Sequence, residues 1–448
     1  MFKLLVQEAM NRLHATAPPR AVRHALLVLL CASSAASPSC KQASGNATAQ
    51  PARLPQMPQK SASVVLSPGS AGGAPSASTK PLDAEGALRA GLRSQPQAPV
   101  APCLPAFGSR EPGLPDLLEQ ASRHFERGRY EEALACAREA SRLDQGSVAA
   151  HHFRGAALAE LGEIDEARTA YARALALDPD DPEVLRSAAD LHVRRLGGRD
   201  DLELALQYVR RALPRAQKGR DRLLQKELYL LQAMGLDDLG RPTEALTAAT
   251  RAVELDPKDR EARRERGVSL FELSRFDESQ QELRRLAAEE PDAWAEHYLG
   301  LIAERKQDDI AAIAHFQHAQ KLDADAFKPT EQTTPSTFAQ VVQEELSKLP
   351  APIRQGLARS KFAVEELPDV ADLVATDPPL SPGILGLFRP PPDGAPADAK
   401  PYIILYRRNL SRAAHSAEEL HREVRDTLMH EVGHLNGEDD EQLRDRGL

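Results

Sequence analysis

The chain has 448 residues, 57 Lys and Arg against 66 Asp and Glu, and a formal net charge of −9. Acidic and basic residues are interspersed rather than gathered into blocks, so nothing in the charge points to nucleic acid. Aromatics at 4% and 34 prolines exclude one large core and fit a helical solenoid with linkers, and four cysteines are too few for a disulfide scaffold.

In chain order, Arg20, Arg23 and His24 precede ALLVLLCASSAA. That apolar run of about a dozen residues is too short for a comfortable bilayer span and has the layout of a signal peptide. Cys40 follows Ser37-Pro38-Ser39, an imperfect lipoprotein box. Residues 1–40 are therefore expected to be a signal segment. Cys40 would be a lipidated membrane anchor and the protein exported to the cell envelope, with a cytoplasmic location as the alternative. Residues 41–113, rich in Ala, Pro, Ser, Gln and Gly, cannot bury enough apolar surface to fold and read as a disordered tether. With Cys31 leaving with the signal, Cys103 and Cys136 remain, and Cys136 reads as a small core residue on a helix.

Residues 114–326 have a different grammar. Windows of 34 residues begin at 114, 148, 182, 226, 260 and 293. Small residues recur at fixed places, among them Ala133, Ala137, Ala140, Ala167, Ala174, Ala245, Ala249 and Ala252, where two helices must cross closely. Pro179, Pro257 and Pro291 fall where the second helix of a window stops. This pattern resembles the tetratricopeptide repeat, about six copies, with an insertion (LGGRDDLELA) in the third and an extra stretch (PRAQKGRDRLL) before the fourth. Such an α-solenoid shares one continuous core and leaves a concave groove for an extended peptide or a partner helix. His151, Arg154, Arg264 and His297 are candidate groove residues, the alternative being ordinary solvated positions.

From 336 to 448 the prolines at 350, 352, 378, 379 and 390–392 break the helical pattern. Phe362–Leu367, Ile384–Phe388 and Tyr402–Tyr406 are short apolar runs expected to be strands. A final helix is expected over 416–435, with Ser416 as N-cap, Glu418 and Glu419 in its first turn, and Leu420, Val424 and Leu428 as its buried stripe.

That helix ends in His430-Glu431-Val432-Gly433-His434. Histidines four apart share one helix face, so both imidazoles reach one ion. Gly437 can take the positive φ of a sharp turn, which swings Asp440 back as a third ligand. Glu438, Asp439 and Glu441 are rival carboxylates. Three protein ligands and an open fourth position suit a catalytic zinc, which lowers the pKa of its water to about 7. Glu431, beside that water, takes its proton as it attacks a peptide carbonyl. The competing account is a surface helix whose histidines merely pair with neighbouring acids.

The pieces of this segment, in order, are FAQVVQEELSKLP, an E-x-x-P at Glu365–Pro368, ILGLF at 384–388, IILYR at 403–407 and HEVGHLNGEDD. Together they resemble the small zincin-like metallopeptidases, also called minimal metzincin-like, over about residues 336–448. The resemblance implies a small α+β domain with Zn2+ held by His430, His434 and Asp440, and Glu431 as the catalytic base. It further implies an edge strand that pairs with the substrate backbone. Tyr402–Arg407 is the expected edge, with Arg407 and Arg408 as solvated charges. The expected function is a zinc-dependent peptidase whose solenoid docks a protein or peptide. The alternative is an interaction scaffold whose zinc site is structural or idle.

Overall fold

The computed structural model describes Cys103 and residues 113–391, 394, 396, 398–439, 442, 443, 446 and 447. The signal segment, Cys40 and the tether lie outside these residues, as do Asp440 and Glu441. Among the described residues no helix is long and apolar enough to cross a membrane.

The solenoid is a run of antiparallel helix pairs. These are α1 (Leu114–Glu126) with α2 (Tyr130–Leu143), α3 (Val148–Glu160) with α4 (Ile164–Leu177), and α5 (Pro182–Leu191) with α6 (Arg199–Gly219). They continue as α7 (Arg222–Asp238) with α8 (Pro242–Leu255), α9 (Arg260–Glu272) with α10 (Phe276–Glu289), and α11 (Ala293–Arg305) with α12 (Asp309–Leu322). Asp residues start many of these helices because their carboxylates accept the orphan N–H groups of the first turn. Asp181, Asp221, Asp259, Asp292 and Asp308 all do so, each cap contributing about 1 kcal/mol. The repeat alanines are fully buried, and in three of the pairs a glycine lets the two helices touch. A Cβ on Gly155 would lie 2.7 Å from the Tyr171 ring, on Gly267 2.6 Å from Leu283, and on Gly300 2.6 Å from Phe316. The third pair absorbs its insertion as a π turn (His192–Leu196) ended by Gly197. The extra stretch before the fourth repeat lengthens α6 through Pro214. First helices of successive repeats pack on one another, α7 on α9 and α9 on α11, which places them on the inner, concave side.

Cys136 corrects one expectation. It is not a simple core residue: it forms a disulfide with Cys103, against which Ala121, Ala137 and Phe153 pack. Distant sequence positions and a low cysteine count hid a pair that the folded chain brings to 5.6 Å between Cα atoms.

The C-terminal domain follows. It contains α13 (Pro335–Lys348), α14 (Ala351–Leu357), β1 (Lys361–Glu365), α15 (Val370–Leu373), β2 (Gly386–Arg389), β3 (Tyr402–Tyr406), α16 (Arg407–Ala413) and α17 (Ala417–Leu435). The sheet order is β1-β3-β2, with β1 parallel and β2 antiparallel to β3. Tyr402–Tyr406 is thus the central strand, not an edge. Four consecutive buried residues, Ile403 to Tyr406, are what a strand covered on both faces requires.

One face of the sheet packs Leu405 with Phe338, Val424 and Leu428 of α13 and α17. The other packs Ile404, Tyr406 and Leu387 with Leu373, Leu380 and Ile384, and Phe276 of the solenoid lies against that cluster. Arg305, at the end of α11, donates to the carbonyls of Pro368 (3.1 Å) and Pro382 (2.9 Å). Its guanidinium also sits 4.8 Å over the Phe276 ring, and burial together with Arg412 brings its pKa down to about 10. Arg412 pairs with Glu304 at 2.7 Å and Arg408 with Asp309 at 2.7 Å. Arg407 and Arg408 also both hold Glu366, so they are not solvated charges. The E-x-x-P and IILYR segments are joined by that carboxylate.

Arg305→Ala removes two charge-assisted bonds across this seam and should lower stability to urea unfolding by about 2–4 kcal/mol. Amide exchange in β1–β3 should accelerate; unaltered exchange there would show that the seam does not hold the sheet.

Candidate metal centre

Ser416 caps α17 by accepting Glu419 N, and Leu420, Val424 and Leu428 bury its inner stripe. This anchoring carries the helix rigidly to its far end, where His430 and Glu431 are 1% and 2% exposed. The two imidazoles meet edge to face, with His430 Nε2 and His434 Nε2 2.9 Å apart. His434 Nδ1 lies 3.0 Å from the carbonyl oxygen of Glu438. A carbonyl only accepts, so Nδ1 donates and the neutral ring turns its Nε2 lone pair toward His430.

The Glu438 carbonyl is in place because the helix ends in a Schellman turn. Glu438 N bonds Gly433 O at 3.1 Å and Gly437 N bonds His434 O at 2.9 Å, with Gly437 at φ 86°. The same turn decides what two rival carboxylates do. Glu438 is taken by Arg446, and Asp439 accepts Gln442 N at 2.9 Å. Asp440 and Glu441 lie outside the described residues.

Glu431 is bounded from above by β2. A Cβ on Gly386 would come 2.8 Å from Glu431 Oε1 and 2.7 Å from Thr427 Cγ2, so the strand approaches α17 at van der Waals contact only because that position is glycine. Gly386 is a site residue that sequence reasoning passed over, its one signal being the glycine inside ILGLF. Two further ionisable groups have shifted pKa values in this domain. Glu423 is one heptad before His430, and its carboxyl is pushed up to about 7 by burial and by Asp426. Tyr406, at the end of β3, is raised by burial and by Asp372, Glu365 and Glu431.

The donor set fits a metal of borderline softness. Two zinc-bound nitrogens about 2.0–2.1 Å from a tetrahedral ion stand roughly 3.3 Å apart, close to the spacing seen here. The His434–carbonyl bond is the kind of outer contact that orients such a ligand.

A helical-pair solenoid joined to an α/β domain with HExxH on its last helix defines the class: tetratricopeptide repeats carrying a C-terminal zincin-like metallopeptidase domain. Residues 357–448 match the family described as zincin-like metallopeptidase, for which zinc is the general metal. Residues 118–182, 154–220 and 230–293 match the tetratricopeptide repeat. The Arabidopsis thaliana protein CTR9 homolog is 34% identical over 128 residues, which is 28% of this chain and 10% of that protein. The chain therefore spans about a tenth of the length of that relative. Among solved structures, Pseudomonas aeruginosa pilF is 17% identical with a TM-score of 0.40, over 48% of this chain and 94% of that one. PilW, described as a widely conserved type IV pilus biogenesis factor, is 17% identical (TM-score 0.41; 46% and 92%). YrrB, described as a repeat protein with an unusual peptide-binding site, is 22% identical (TM-score 0.33; 42% and 93%).

Gly386→Ala should cost about 1–3 kcal/mol in thermal or urea unfolding, because neither Thr427 nor Glu431 has room to retreat. A neutral or stabilising result would mean that β2 does not rest on α17 as described.

Proposed function

We propose that this chain is a zinc-dependent peptidase whose solenoid docks the protein or peptide it cleaves. One observation carries the reading: the imidazoles of His430 and His434 converge through Nε2, with His434 fixed by the Glu438 carbonyl and Glu431 buried beside them under β2. His430, His434 and Asp440 would hold the ion, which when bound supplies Lewis-acid polarisation of a carbonyl oxygen.

The rest falls to the chain's own residues. Glu431 takes the proton of the attacking water and returns it to the leaving amine. The substrate strand adds to β2 rather than to Tyr402–Arg407, since β3 is paired on both sides and, of the two edge strands, β2 is the one that packs on α17. Gly386 keeps that strand close enough for a scissile carbonyl held on it to reach Glu431. The Cys103–Cys136 disulfide supports export, because such bonds persist in oxidising compartments. With a lipidated Cys40, the tether would hold the peptidase near a membrane surface in the envelope.

Glu431→Gln should retain zinc while hydrolysis falls about 10²–10⁴-fold. By elemental analysis His434→Ala should lose stoichiometric zinc, and Asp440→Ala should weaken its binding. Loss of zinc in Glu431→Gln would make Glu431 a ligand or support. Wild-type protein that binds zinc yet cleaves nothing in a broad peptide library would favour the scaffold.

Cys40→Ser is expected to move the protein from the membrane fraction to the soluble one. Membrane association that survives the substitution would end the lipoprotein proposal and leave the peptidase reading intact.

A further inference from the structure

The outer side of the solenoid carries a cleft that neither peptide hydrolysis nor the concave groove uses. It lies between the second helices α8 and α10, over the start of α9, and has a volume of about 650 Å³. Five cations line it: Lys258 in the turn after α8, Arg260, Arg263 and Arg266 on α9, and Arg285 on α10. Its acids are Glu282, Glu289 and Glu290. Five positive charges against three negative leave the cleft two charges positive, on a chain whose formal net charge is −9.

The three arginines of α9 form a fixed floor. Arg260 donates to the carbonyls of Leu286 (3.2 Å) and Glu290 (2.8 Å). Arg263 holds Glu282 at 3.3 Å and Glu289 at 2.6 Å, and Arg266 holds Glu282 at 2.7 Å. This use of the acids isolates Arg285. Glu282 and Glu289 stand three residues before it and four after it on α10, the spacings at which a helix pairs opposite charges. Both reach across to α9 instead. Arg285 and Lys258 are exposed and meet no carboxylate among the described residues.

The floor is therefore preorganised and the rim is free. Arg266 spends one nitrogen on Glu282, and a guanidinium has further N–H donors in the same plane. A ligand that brings two negative charges ends the imbalance. Nucleic acid is a poor match, because its charge extends far beyond one cleft onto a surface whose net charge repels it. Val253 and Pro257 add an apolar wall, which suits the backbone and aliphatic stems of a peptide. We propose that this cleft docks an acidic segment of a partner protein. The carboxylates of that segment lie between the free rim cations, Lys258 and Arg285, and the arginine floor. Neither the concave groove nor α17 contributes to the site.

The full chain is titrated into a fluorescein-labelled peptide carrying a run of glutamates, with a glutamine peptide of equal length as control, and binding is read by fluorescence anisotropy. The glutamate peptide should bind and the glutamine peptide should not. Affinity should fall as salt rises from about 0.01 M to about 0.1 M, which shortens the screening length from about 30 Å to about 10 Å. The double variant Lys258→Gln, Arg285→Gln should weaken binding about ten-fold or more at the lower salt. Its thermal midpoint should stay unchanged, because neither side chain has an ion-pair partner to lose. Arg284→Gln, an exposed neighbour on α10 that does not line the cleft, should leave binding unaltered. Absence of glutamate binding at low salt overturns the proposal. So does binding that survives the double variant, or that falls equally in Arg284→Gln. An oligothymidylate that binds more tightly than the glutamate peptide, and loses affinity in the double variant, would make the cleft a nucleic-acid site and overturn the acidic segment.

Discussion

A three-stranded sheet whose central strand buries four residues in a row needs cover on both faces, and the rest of the C-terminal domain is arranged around that need. α17 and α13 cover one face. The other is covered by the domain's own α15 segment and by Phe276 and Arg305, which belong to the solenoid. With both faces occupied the sheet has little freedom to tilt, and β2 is held down on α17 where Gly386 meets Thr427 and Glu431. The position of Glu431 relative to the β2 edge is therefore set partly by the repeats. The two modules act as one framework at this seam, which α16 ties further through Arg408 and Arg412.

The second fixed element is the turn after Leu435. Gly437 lets the chain reverse, the reversal presents the Glu438 carbonyl to His434, and that carbonyl selects the ring tautomer. The same reversal gives the neighbouring carboxylates separate tasks: Glu438 holds Arg446, and Asp439 caps the segment containing Gln442. A single left-handed residue thus fixes the His434 ring and engages the Glu438 and Asp439 carboxylates.

Much of this is legible in the residues themselves. The repeat phase shows because helices that cross closely need Ala or Gly at fixed intervals, and five of the repeat helices show their starts through an Asp cap. The α17 stripe and the HExxH face follow from a 3.6-residue period. Three features do not show, for a common reason. That Tyr402–Tyr406 is central, that Gly386 sits over Glu431, and that Cys103 meets Cys136 all depend on which distant segments become neighbours. An apolar run of five reads the same at an edge or in the middle of a sheet. Arg407 and Arg408 look solvated in isolation because their partners, Glu366 and Asp309, lie about 40 and 100 residues away in the chain.

The Cys103–Cys136 bond has a mechanical meaning. It spans 33 residues and joins the chain ahead of α1 directly to the middle of α2. Tension arriving along the N-terminal segment would enter the solenoid at α2, and α1 would carry none of it. A terminal repeat is ordinarily the first to peel, since it has a neighbour on one side only. Here the covalent crosslink would pass such a load directly to α2, whose Ala133, Ala137 and Ala140 are fully buried. The outermost helix is thereby taken out of the line of force.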